Sequence, residues 1–296
     1  MKSIFRNLMS LPNAYIIGVQ KAGTTSLHNW LAQHPDIYAP LEFKDVDYFA
    51  NPAIAADAKE RLEEDFASYN GEKVILQSQV NYILYPKALD RIKALTPQAR
   101  LIVILRDPVD RAMSAYRYFK KMGNENRDAE EALLYKPKKK ISYSKENSDF
   151  TYIEHGMYGR QLEAVYQKFN PEHILVLQFE ELISQPQQLT SKVFNFLAVT
   201  QSFTPSFDKR NKTGKARFKW IQNRLTSTSW LRQLIIKYLF SWWLSVEKRQ
   251  FLRKQLIELN TGEKKRKSTS KELKEQLQPL FMDDQKKLKE ILETHG

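Results

Sequence analysis

The six residues Arg100-Leu-Ile-Val-Ile-Leu105 constrain this chain more than any other segment. Five consecutive apolar side chains, three of them β-branched, leave no polar face for water. The strand they form must be covered on both sides, as strands are inside a parallel sheet. Residues 14–19, 73–76 and 173–178 are further short apolar runs that read as strands. Helical spacing of apolar residues separates them, over 25–31, 159–169 and 189–197. Strands alternating with helices predict an α/β fold with a parallel central sheet flanked by helices. No internal repeat is visible.

The length of 296 residues with 42% hydrophobic and 27% charged residues suits a globular chain with a sizeable core. We read 1–296 as a single domain, with 1–220 an α/β core and 221–296 a basic helical region packed on it. No run of eighteen apolar residues offers a membrane span. Polar residues interrupt the basic-apolar start and no small-residue cleavage pattern follows, which argues against a secretory signal and for a cytoplasmic protein. The absence of cysteine excludes disulfides, thiolate metal sites and cysteine nucleophiles. The five histidines show no metal-ligand spacing, so no metal site is expected.

The net charge of +13 is lopsided, because residues 201–296 carry 22 Lys+Arg against 10 Asp+Glu. Such a surface suits anionic lipid, an anionic substrate or RNA, or it is a solvated Lys-rich helical face. Within it, 230–252 combines Trp230, Leu234, Tyr238, Trp242 and Trp243 with flanking Arg232, Lys237, Lys248 and Arg249. This stripe reads either as a helix at a membrane interface or as core against the sheet domain. A polar break over 260–270 precedes a last helix over about 271–293, with Ser270 as its N-cap.

Two constellations carry chemistry. The first, Gly18-Val-Gln-Lys21-Ala22-Gly23-Thr24-Thr25-Ser26, follows the first strand and opens a helix. A glycine turn at a helix start gathers backbone N–H groups around an anion, Lys21 adds a charge, and Thr24 to Ser26 add hydroxyls. A Walker A loop needs Lys-Ser/Thr directly after the second glycine, so a nucleotide kinase or ATPase is a poor match. The second, Arg106-Asp107-Pro108 to Ser114-Ala115-Tyr116, leaves the strongest strand. Asp107 caps a helix that Pro108 begins. Ser114 lies about two helical turns further on, where it shares a cleft with Arg106. A guanidinium and a hydroxyl converging on one spot suit a phosphate.

Over residues 13–220 these motifs resemble the PAPS-dependent sulfotransferases, most nearly the heparan-type and bacterial carbohydrate branch. Gln20-Lys21-Ala22-Gly23-Thr24-Thr25-Ser26-Leu27 is similar to their 5′-phosphosulfate loop, and Leu105 to Arg111 with Ser114-Ala115-Tyr116 to their 3′-phosphate motif. The resemblance implies a P-loop-like sulfotransferase fold, PAPS as co-substrate without a metal, and transfer of its sulfuryl group to a hydroxyl or amine. Pro40 to Phe49 is similar to the family's K-E-P-H-F-F segment, whose glutamate is the base. Lys44 takes the lysine position, Asp45 the glutamate, and Tyr48 and Phe49 the aromatics, while Val46-Asp47 replaces Pro-His. Asp45 is thus the implied base, one methylene shorter than the family's, with Glu42 a rival at the acceptor side. Asn81 and Tyr82 stand where the family's S-P-x-Y segment borders the acceptor cleft. Lys212, Gly214 and Lys215 resemble the loop that folds over the nucleotide. The implied acceptor is a carbohydrate or glycolipid, and nucleic acid is disfavoured. A nucleic-acid or anionic-surface binder using the basic C-terminal third remains the alternative class.

Overall fold

The computed structural model describes residues 11–134, 151–207, 215–216, 261–262 and 271–295. Its elements begin with β1 (Ala14–Gly18), α1 (Thr24–Leu31) and β2 (Ile37–Tyr38), followed by α2 (Pro52–Ala55), α3 (Ala58–Asp65), β3 (Val74–Ser78) and α4 (Pro86–Leu95). Then come β4 (Arg100–Leu105), α5 (Pro108–Met122), α6 (Ala129–Leu133), α7 (Tyr158–Tyr166) and β5 (Ile174–Gln178). The chain continues through α8 (Phe179–Ser184), α9 (Pro186–Leu197), β6 (Lys215–Ala216), β7 (Thr261–Gly262), α10 (Lys271–Leu277) and α11 (Met282–His295).

Five strands form one parallel sheet in the order β2-β3-β1-β4-β5. Every residue of β1 and β3, and all of β4 but Arg100, is buried, as a sheet covered by helices on both faces requires. After β1 the chain turns towards β2 and β3, and after β3 it crosses to β4. The carboxyl ends of β1 and β4 therefore open a crevice at the switch in direction, where such sheets place ligands. β6 and β7 pair antiparallel as a separate two-stranded ribbon.

Three elements differ from the sequence reading. β2 has two residues, too few for a periodic signal. β3 runs on through Gln77 and Ser78, whose polar side chains are buried because they bind neighbouring segments. The predicted helix over 271–293 is two helices, since Pro279 has no N–H to donate and the chain passes through a 3₁₀ turn at Gln278–Phe281. Ser270 and the stripe over 230–252 lie outside the described residues.

The C-terminal pair docks behind the sheet's switch region. Leu273, Leu277 and Phe281 join Val109, Met113 and Phe119 of α5 in a second core cluster. α11 lies along α7. The Asp284 carboxylate accepts the N–H groups of Gly159 (2.7 Å) and Arg160 (3.1 Å), capping α7 from a distant element. Lys287 binds Glu163 at 2.6 Å and His295 stacks on Tyr166 with ring centres 4.4 Å apart. A Cβ at residue 159 would press on the Asp284 carbonyl and approach Leu288 N to 2.9 Å. Backbone atoms do not yield as a side chain does, so Gly159→Ala is expected to cost about 1–3 kcal/mol by overpacking. Urea unfolding measures it, and an unchanged midpoint would show that α7 and α11 are not in this close contact.

Candidate functional site

The loop after β1 is shaped by two residues in the left-handed region, Lys21 (φ 69°) and Gly23 (φ 84°). Gly23 caps α1 with no side-chain hydrogen bond and no acidic residue follows in the first turn, so the positive end of the helix keeps its pull on anions. Glycine is required at 23 on two counts. The left-handed backbone disfavours a side chain, and a Cβ would meet Leu182 at 3.2 Å and Phe179 at 3.3 Å. Ala22 is fully buried, Thr24 nearly so, and Thr25 and Ser26 half-buried beside it.

Arg106 leaves β4 directly into this loop. Its Nη1 donates to the Lys21 carbonyl at 2.9 Å, and its guanidinium lies 4.4 Å from the centre of the Phe179 ring. The same ring supports Gly23, so one aromatic side chain braces both anion-binding segments. Asp107 accepts the N–H of Asp110 at 2.7 Å with Pro108 at the helix start, the cap expected from sequence. Ser114 sits half-buried two turns into α5.

A third segment arrives from beside β3. Asp45 N donates to the Ser78 carbonyl at 2.8 Å, and the Gln79 side chain returns a bond to the Asp45 carbonyl at 2.9 Å. Gln77 holds the Val46 carbonyl at 3.0 Å. These bonds hold Asp45 in the left-handed region (φ 66°), a conformation aspartate tolerates better than most residues. Its carboxylate is half exposed (53%) and meets the buried Lys44 ammonium at 2.5 Å. Behind it His28 Nδ1 shares a 2.7 Å hydrogen bond with Ser78 Oγ. Burial, reinforced by Lys44, pushes the His28 pKa down to about 3, so the ring stays neutral.

These three segments meet at Lys21. Its ammonium lies 4.0 Å from the centre of the Tyr118 ring. Burial first, then the positive charges of Arg106, Lys121 and Lys44, push its pKa down to about 8, with Asp45 in opposition. A lysine crowded by cations and opposed by one carboxylate is a seat for a polyanion. Gln77, His28, Tyr118 and Phe179 were not singled out as site residues in the sequence, while Ser78 and Gln79 open the segment that ends at Asn81 and Tyr82.

Other expected site residues fall elsewhere. Tyr82 does not border a cleft. It is fully buried, its ring packs 5.4 Å from that of Phe49, and its hydroxyl accepts the Tyr48 N–H at 3.0 Å. Tyr48 and Phe49 are likewise core, with the Tyr48 hydroxyl donating to Asp65. Asn81 is half-buried, with its Oδ1 buried and unpartnered. Glu42 is exposed on the 3₁₀ turn Leu41–Phe43, where its charge acts on Tyr38. Lys212 and Gly214 lie outside the described residues, and Lys215 opens β6.

Residues 12–204 match the sulfotransferase family, and the chain belongs to that family. The human heparan sulfate glucosamine 3-O-sulfotransferase 3B1 is 30% identical over 216 residues, covering 69% of this chain and 50% of that protein. The mouse bifunctional heparan sulfate N-deacetylase/N-sulfotransferase 4 is 27% identical over 208 residues, covering 66% of this chain and 23% of that protein. The chain thus spans about half or less of the length of these curated relatives. The crystal structure of a sulfotransferase from Alicyclobacillus acidocaldarius superposes with a TM-score of 0.57 at 29% identity, covering 68% of this chain and 86% of that one. The parallel sheet flanked by helices is the P-loop-like sulfotransferase fold.

The crowded lysine sets a pH dependence. Its folded pKa of about 8 lies below the ordinary 10.5, so between those values the unfolded chain holds more protons than the folded one. Stability then rises with pH across that window. Measured by urea unfolding, the difference between wild type and Lys21→Met should shift in favour of the wild type from pH 7.5 to 9.5. A difference that stays flat would mean that Lys21 titrates as a solvated lysine.

Proposed function

We propose that this protein transfers the sulfuryl group of PAPS to a carbohydrate hydroxyl or amine, with Asp45 as the base. One observation carries this reading: Arg106 is bonded to the Lys21 carbonyl at 2.9 Å, and the Lys21 ammonium lies within the electrostatic reach of Arg106 and of the Lys44–Asp45 pair. Cations of the phosphate motifs and a carboxylate thereby surround one reacting position. The donor set fits a polyanionic nucleotide, because the glycine-opened helix start, Lys21 and Arg106 supply N–H groups and positive charge. PAPS, when bound, supplies the sulfuryl group and a phosphate oxygen as leaving group.

Asp45 accepts the acceptor's proton as the new bond to sulfur forms and the bond to the phosphate oxygen breaks. Lys44 holds the carboxylate in register without blocking its exposed side. Lys21, the N–H groups of residues 23–25 and the hydroxyls of Thr24, Thr25 and Ser26 stabilise the charge that grows on the leaving phosphate. Arg106 and Ser114 hold the 3′-phosphate and so align sulfur with the acceptor.

Transfer of label from radioactive PAPS to fractionated polysaccharide, lipid and protein pools tests the reading. Polysaccharide labelling is expected, and no labelling of any pool refutes it. Arg106→Ala should weaken binding of adenosine 3′,5′-bisphosphate about tenfold or more, through loss of a charged hydrogen-bond partner. Asp45→Asn should lower turnover ~10²-fold or more with donor binding intact, whereas Glu42→Gln should keep its activity. The reverse outcome for the two carboxylates would move the base to Glu42.

A further inference from the structure

Beneath the nucleotide half of the site lies a guanidinium that none of this chemistry uses. Arg111 is fully buried (0% exposed) on α5, one turn before Ser114 and on the same face. Its Nη2 donates to the Tyr152 carbonyl, while Nε and Nη1 have no hydrogen-bond partner. The hydroxyl of Tyr158, which opens α7, is also buried and unpartnered. The titratable groups acting on Arg111 are Tyr158, Arg106 and Tyr152, with no carboxylate in the set.

Nearby acids are engaged elsewhere. Glu125 binds Arg127 at 2.7 Å and the Tyr152 hydroxyl at 2.9 Å. Asp107 caps α5, and Asp110 pairs with Lys274 at 2.8 Å. Burial lowers the Arg111 pKa to about 10, which still leaves it charged at neutral pH. A buried charge without a counter-ion destabilises a fold. Arg111 acts electrostatically on Arg106 and lies one turn from Ser114, so its field reaches the anion pocket.

We infer that Arg111 is a second, non-contacting cation for the nucleotide's 3′-phosphate, its charge left uncompensated by the fold and balanced when that phosphate sits at Arg106 and Ser114. The inference rests on the PAPS reading. Arg111 touches no substrate and acts through its field, which, being buried, salt screens little. It makes the unliganded protein less stable and the liganded one tighter, a trade of stability for function.

Calorimetric titration with adenosine 3′,5′-bisphosphate, beside urea unfolding of the ligand-free proteins, tests this. Arg111→Gln should bind about tenfold more weakly, the scale of one charge acting through protein at an effective dielectric of ~20. That loss should persist at high salt, and the ligand-free variant should be at least as stable as the wild type. Arg111→Lys, which keeps the charge, should retain most of the affinity. The inference is overturned if Arg111→Gln binds as the wild type does, if it is less stable or fails to fold, or if Arg111→Lys loses as much affinity as Arg111→Gln. Failure of the wild type to bind the bisphosphate at all would instead refute the PAPS reading.

Discussion

Arg106 is the fastening on which the site depends. Its bond to the Lys21 carbonyl joins the turns after two neighbouring strands, and its stacking on Phe179 fixes the plane of the guanidinium. Lys21 and Arg106 repel one another, so their proximity has to be imposed by the backbone. The paired strands β1 and β4 impose it, because their register sets the distance between the turns that leave them. Arg106 then offsets part of the repulsion by bonding the carbonyl of the residue whose side chain it repels. The result is an electropositive pocket whose cations are held in place by the backbone.

The carboxylate side is built differently. Asp45 lies on no regular element, yet both its backbone N–H and its carbonyl are tied to the end of β3 and the residue after it. Its position is therefore set by the same sheet that sets Lys21. The neutral His28 ring binds Ser78 from behind, so the support beneath Asp45 does not change charge near neutral pH.

Local chemistry made the turns after β1 and β4 legible in the sequence. The all-apolar run of β4, the Asp-Pro start of α5 and the glycine turn before α1 each report their own conformation. Gln77, Ser78 and Gln79 were opaque because their partners lie about 30 or 50 residues away, and buried polar residues look like loop residues until those partners are known. Tyr82 was misplaced for the opposite reason, since an aromatic beside a cleft and one in the core carry the same local pattern. The break at Pro279 was the one available signal passed over, as proline inside a helical pattern is a marker of interruption.

The docking of α10 and α11 has a consequence for how the protein is made. The cap on α7 is Asp284, and the wedge beside Gly156 and Pro108 is Phe281, both within the last sixteen residues of the chain. A ribosome emits the five strands of the sheet long before these residues leave its exit tunnel. The nascent sheet domain thus waits with the back of α5 and the start of α7 uncovered, and α5 is the helix that carries Ser114 and Arg111. Covering that helix thus waits for residues 273–284, which come far behind the five strands in the order of synthesis.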